Sequence, residues 1–162
     1  MKNSQNRAEI HQLLQIIDES YDKHAWHGTN LRGSIRGLTV EQASRRLSPA
    51  RHNIWEVVVH CAYWKYIVRR RILGEKKGSF PLKGSNWFKR PAEKTKEAWR
   101  ADIRVLEEAH RSLRKAINGL KSSDLTKNPS GSKWTNLQTI SGIASHDLYH
   151  AGQIQLLKRL QK

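Results

Sequence analysis

Two histidines four residues apart, His146 and His150, stand in the segment Ser145-His146-Asp147-Leu148-Tyr149-His150-Ala151-Gly152-Gln153-Ile154. In a helix, four residues advance about 40° and about 6 Å, so both imidazoles fall on one face and can hold one ion. Gln153, three residues past His150, shares that face. Ile143, Ile154 and Leu157 lie on the same stripe, so the histidines occupy positions where a helix normally buries Leu or Val. A pair of hydrogen-bonded core histidines is the alternative, and it needs two sets of buried partners. A third histidine, His60, lies in a second apolar-periodic segment beside Val57, Cys61 and Trp64. Three inward histidines on two helices suggest a divalent metal.

Three imidazoles leave a coordination position open for water or substrate, whereas structural zinc normally has four protein ligands, so the pattern points to catalysis. Imidazole accepts zinc, nickel, iron or copper. Gln153 is the candidate catalytic residue, hydrogen-bonding whatever fills the open position, and Tyr149 or His27 would line the entrance. Metal affinity is expected to fall as pH drops through the imidazole range near ~6.5. The other candidates read more simply. Cys61 is adjacent to His60 and so points about 100° away from it, as a small buried residue. His110 falls on an apolar stripe as an isolated inward histidine, His24 and His27 fit surface or capping roles, and Glu56 fits a helix cap better than a base.

The chain has 162 residues, 37% of them hydrophobic and six of them Trp, enough for one domain with a real core. No segment approaches the ~20 apolar residues of a membrane span, and the first residues lack a signal-peptide pattern, so a cytoplasmic location is expected. The single cysteine excludes an internal disulfide framework and any CxxC motif. Thirty Lys and Arg against fourteen Asp and Glu give a formal charge of +16. That balance raises a non-enzymatic basic binding module, with nucleic acid or protein as partner and a structural or vestigial metal site, as the alternative function. The basic residues are dispersed and no zinc-finger, RRM or helix-turn-helix pattern accompanies them, so sequence-specific nucleic-acid binding is not expected.

The elements follow from periodicity. Ile10, Leu13, Leu14, Ile17 and Tyr21 predict a helix from about Ser4 to about Trp26, with Gly28 as its stop. A long connection reaches about His52, with a short turn capped by Thr39 and Gln42. Asn53 and Glu56 cap a second helix that Gly74 ends after Leu73. Trp87 and Phe88, in the linker that follows, are expected over a bundle end. Pro91 opens a third helix carrying Trp99, Ile103, Leu106, Leu113, Ile117 and Leu120. After a break from Ser122 to Lys133, Thr135 and Gln138 cap the last helix. With no alternating strand pattern and no internal repeat, the fold class is all-α, a four-helix bundle in a single domain. At ~1.5 Å per residue, His60 stands about 10 Å along its helix and the histidine pair about 15 to 21 Å along theirs. Those heights match best in antiparallel helices, which favours an up-down-down-up order.

Ile54-Trp55-Glu56 followed by His60, the final His146-Asp147-Leu148-Tyr149-His150-Ala151-Gly152-Gln153-Ile154, and Trp26-His27-Gly28 together resemble the DinB/YfiT-like superfamily. The resemblance spans nearly the whole chain. It implies an up-down-down-up bundle holding a divalent metal on His60, His146 and His150, zinc or nickel foremost, and a homodimer. It also implies a metal-dependent enzyme acting on a small-molecule substrate, either a hydrolase or a transferase that uses a low-molecular-weight thiol cosubstrate. Lys65 stands where some relatives carry a carboxylate, so no acidic ligand is implied there.

Overall fold

The computed structural model of the chain describes residues 2–76, 78, 80–129 and 131–161. They form helices only: α1 (Lys2–Tyr21), α2 (Leu31–Ile35), α3 (Val40–Ser44), α4 (Ile54–Ile72), α5 (Lys96–Asn118), α6 (Ser122–Leu125) and α7 (Asn136–Leu160). The four long helices are the amphipathic segments of the sequence.

Local chemistry sets most of their ends. At Asn53, Thr39 and Thr135 the side chain accepts from the backbone N–H three residues on, and the Glu or Gln there returns a bond to the cap's own N–H. Orphan amides of the first turn are thereby satisfied. Gly74, with φ +67°, ends α4 in the left-handed region that favours glycine.

Two boundaries differ from those the sequence predicts. α1 stops at Tyr21 rather than near Trp26, because the N–H groups of both Asp22 and Lys23 bond to the Asp18 carbonyl, and the Asn30 side chain then donates to the Lys23 carbonyl. Trp26 is left fully exposed. α5 begins at Lys96 and not at Pro91, because Thr95 accepts from the Ala98 N–H and makes the stronger cap. Pro91 stays in the connection.

Two groups of buried side chains fill the interior. One gathers Trp55, Val58, Leu106 and Ile154 with Leu31 and Ile35 of α2, and the other gathers Ile17, Leu113, Ile117 and Ile140. Polar pairs tie the long helices at matched heights. Trp55 Nε1 donates to Asp102 at 2.6 Å and Lys65 lies against His110, so residue numbers rise together along α4 and α5. Lys65 also meets Asp147, and His60 meets His146 and His150. Asp18 of α1 bonds Arg114 of α5 at 2.8 Å. No helix is long and apolar enough to cross a membrane among the described residues.

Candidate metal centre

α4 and α7 bring His60, His146 and His150 together, with ligand atoms all within 4.8 Å of one another. His60 and His150 are buried and His146 is partly exposed, at the edge of the core. His146 Nε2 lies 3.1 Å from His60 Nε2 and 3.1 Å from His150 Nε2. Two nitrogens on one tetrahedral zinc, each about 2.0–2.1 Å away, stand roughly 3.3 Å apart, so this spacing is near what one ion needs.

The outer nitrogens fix where the protons are. His60 Nδ1 lies 2.8 Å from the Asn86 carbonyl oxygen, which can only accept. His150 Nδ1 lies 2.7 Å from Gln153 Oε1, while the Gln153 amide nitrogen donates to the Tyr149 hydroxyl at 2.9 Å. His60 therefore carries its proton on Nδ1 and aims a bare Nε2 lone pair at His146 Nε2, and His150 does the same with the Gln153 amide in this orientation, its Oε1 toward His150 and its NH2 toward Tyr149. A proton on His146 Nε2 can satisfy only one of the two. A cation at the centre satisfies all three, so the donor set fits a metal.

Burial reinforces this. It pushes the His60 imidazole down to about 4, against the pull of its Asn86 hydrogen bond. His146 is pushed down to about 3, first by burial and then by its two histidine neighbours, and burial also lowers His150. Burial thus favours at all three the neutral imidazole, which is the form that ligates. Proton competition for the site is thereby weaker than at a free imidazole.

Asn86, Trp87 and, behind Trp87, His52 surround His60 in contacts that the sequence does not announce. Asn86 sits in the left-handed region, φ 63°, which Asn tolerates better than most residues. From there its carbonyl faces His60 and its side chain accepts from Trp64 Nε1 at 2.9 Å. Trp87 does not pack over a bundle end: its ring lies 3.8 Å from the His60 ring, nearly parallel, with His52 stacked on its other side at 3.7 Å. His52 is held in turn by Glu56 at 3.0 Å. Burial raises the Glu56 pKa, but hydrogen bonds from Arg46 and His52 outweigh it and hold the carboxyl below the usual range. Glu56 completes the capping box of α4 with Asn53 and anchors His52, and it makes no contact with the three imidazoles among the described residues.

Behind the histidines lies a wholly buried ion pair, Lys65 with Asp147. Burial pushes Asp147 up to about 6 against the pull of Lys65. Cys61, His146 and Asp147 also bring ligand atoms within 4.8 Å, and His146 Nδ1 and Asp147 Oδ1 have no hydrogen-bond partner among the described residues. That grouping suits a cation poorly, because the Lys65 ammonium beside Asp147 Oδ2 puts a positive charge next to the site, and burial holds the Cys61 thiol well above its usual range.

Gln153 sits behind His150 as its hydrogen-bond partner, and Tyr149 is exposed beside it, lining a cavity of about 480 Å³ with Trp87, His150 and Leu156. His24 and His27 are exposed and take no part in these contacts.

His110 points inward, as its stripe predicts, but away from the triad: it stacks on Tyr21 at 3.7 Å and its Nδ1 lies 3.5 Å from Lys65 Nζ. Burial, with Lys65 adding to it, pushes its imidazole down to about 3. Below pH ~6.5 the unfolded chain takes up a proton here that the folded chain refuses, so this group's contribution to stability falls as pH drops from ~6.5 toward 3 and is constant above. The loss is on the order of 1 kcal/mol per pH unit. Denaturant unfolding of metal-free protein between pH 7 and 4 should show a slope that becomes shallower by that amount in His110→Phe, which keeps the stack. An unchanged slope would rule out the neutral buried imidazole.

The model of the DinB superfamily matches residues 23–154, a span that includes all three histidines. No curated protein and no solved structure matches the chain significantly. With an all-helical fold and a triad of histidines that could hold an ion, matched across most of its length by that model, the chain belongs to the DinB superfamily.

Proposed function

We propose that the chain is a divalent-metal-dependent enzyme, a hydrolase or a thiol-cofactor-dependent transferase, acting on a small-molecule substrate at His60, His146 and His150. The observation that carries this is the convergence of the His60 and His150 Nε2 atoms on the Nε2 of a third imidazole, each at 3.1 Å. Zinc or nickel is the proposed metal, with a low-molecular-weight thiol as cosubstrate in the transferase case. When bound, the ion supplies Lewis acidity to a ligand in the position that three imidazoles leave open.

The remaining roles belong to the chain. Asn86 and Gln153 hold the outer nitrogens of His60 and His150, which fixes ring orientation and raises ligand basicity. Trp87 covers one face of His60 and excludes water there. Gln153 is a positioning residue in this reading, and its link to the exposed Tyr149 hydroxyl couples the ligand to the cavity mouth. An up-down-down-up order is supported by the paired heights of α4 with α5 and of α4 with α7. A homodimer is also proposed, supported by the exposed Leu156 and Leu160 on the last turns of α7.

The test is activity gained on reconstitution. Zinc- or nickel-loaded protein, assayed for ester hydrolysis and for thiol consumption with an electrophile, should turn over in one assay, stop on chelation, and be inactive as His60→Ala. Gln153→Ala should weaken metal affinity roughly 10- to 100-fold while Gln153→Glu retains most of it. Inactivity of fully loaded protein in both assays would contradict the enzymatic reading.

A further inference from the structure

A second cavity meets the triad from the other side. This groove, of about 660 Å³, is lined by Trp64, Val68, Arg71, Trp134, Gly142 and His146. It runs between α4 and α7 for about 12 Å, the rise of the eight residues from Gln138 to His146. At one end is the partly exposed imidazole of His146. Near the other is Arg71, whose guanidinium makes no hydrogen bond or ion pair among the described residues. The walls between are mostly aromatic and aliphatic, with Gln138, Thr139 and Ser141 adding polar atoms along α7, and Trp134 stays 62% exposed although it is large and apolar.

Gly142 keeps the floor open. It lies inside α7, where glycine weakens a helix relative to alanine, and a Cβ placed there would meet no atom within 4 Å. No packing or backbone conformation demands glycine at this position. The residue leaves space above the helix where any side chain would occupy it.

We propose that this groove binds a small aromatic anion, its ring against Trp64 and Trp134, its acidic group on Arg71, and its far end beside His146. Aromatic walls select a flat apolar body. One unpaired guanidinium selects a carboxylate, sulfonate or phosphate through charge-assisted hydrogen bonds. The proposal deepens the metalloenzyme reading in one respect only, that the ligand ends at a residue of the reactive site.

Two fluorescent probes that differ by a single charged group, anilinonaphthalene sulfonate and its uncharged parent phenylnaphthylamine, test it on the metal-free full chain. Wild type should bind the sulfonate more tightly. Arg71→Gln should weaken the sulfonate about tenfold and the neutral probe less than about twofold, the loss of one charged hydrogen-bond donor. Gly142→Leu, whose Cβ meets no atom within 4 Å and whose side chain would extend into the groove, should weaken both at least about tenfold with helicity unchanged. Trp134→Ala, at an exposed side chain, should weaken both and carries the test if Gly142→Leu does not fold. Wild-type binding of both probes by Gly142→Leu and Trp134→Ala, as when they occupy the cavity beside His150, would overturn the proposal. So would equal weakening of the two probes by Arg71→Gln. Metal titration of the same variants separates the two readings: wild-type metal binding is expected throughout, and a triad that binds no ion while the probe pattern holds would remove the enzyme and leave the groove.

Discussion

His146→Ala is expected to abolish stoichiometric binding of a divalent ion, weakening affinity by at least about a hundredfold, the scale of losing one of three direct ligands when even an outer partner is worth 10- to 100-fold. His146 is the common neighbour of the other two nitrogens, so its loss leaves two imidazoles with no third donor between them. His60→Ala and His150→Ala should do the same. His110→Ala and His11→Ala should leave one ion per chain, because His110 lies against Tyr21 and Lys65, and His11 is exposed. Equilibrium dialysis with metal analysis makes the comparison. Metal loss from His110→Ala equal to that from His146→Ala would mean diffuse binding by the eight histidines rather than a defined site. The metal-free triad variants should remain helical, since the apolar stripes of α4 and α7 continue on both sides of the site.

The second large effect belongs to the buried ion pair. Lys65 and Asp147 are both 0% exposed, so removing one charge strands the other where water cannot reach it. Breaking such a pair typically costs about 3–5 kcal/mol, whereas replacing both charges with apolar groups of similar size is often neutral or stabilising. Lys65→Met and Asp147→Leu should therefore each lower unfolding free energy by about 3 kcal/mol or more at pH 7, and the double variant should recover most of it. Denaturant unfolding of the four proteins gives the coupling directly. Single variants within about 1 kcal/mol of wild type would show that water or a rearranged partner already solvates the survivor. The pair links α4 to α7 next to His146, so the single variants should also loosen metal binding.

The all-α fold was legible because its long helices combine regular apolar stripes with reciprocal caps. Asn53 with Glu56 and Thr135 with Gln138 mark helix starts by side-chain chemistry that acts within four residues, and periodicity needs no tertiary information. The convergence of His60 with His146 and His150 was legible for the same reason: spacing on a helix fixes the face, and each histidine falls on an apolar, inward face. What lay outside local pattern was missed. α2 is five residues, Leu31-Arg32-Gly33-Ser34-Ile35, too short for a period and interrupted by glycine, and it is held by Asn30 and by burial against α7. Trp87 sits in a linker, and nothing near it in sequence announces that its ring lies between His52 and His60.

The ion pair did leave a signal. Ile54, Val58, Cys61, Lys65 and Val68 form one stripe, and Ile140, Ala144, Asp147, Ala151 and Ile154 another, both buried in the structure. Each carries a single charge, of opposite sign, at the centre of an apolar face. Reading the deepest stripe of α7 through Asp147 also explains why His146 stands at the edge of the core, where an open coordination position can be reached from outside.

X-ray absorption on zinc-loaded protein tests the central claim most directly. Three imidazole nitrogens at about 2.0–2.1 Å, with at least one further light-atom ligand from outside the chain, are the expected shell, reduced to fewer imidazoles in His146→Ala. A sulfur ligand would place the ion on Cys61, and a shell with fewer than three imidazoles in the wild type would contradict the triad.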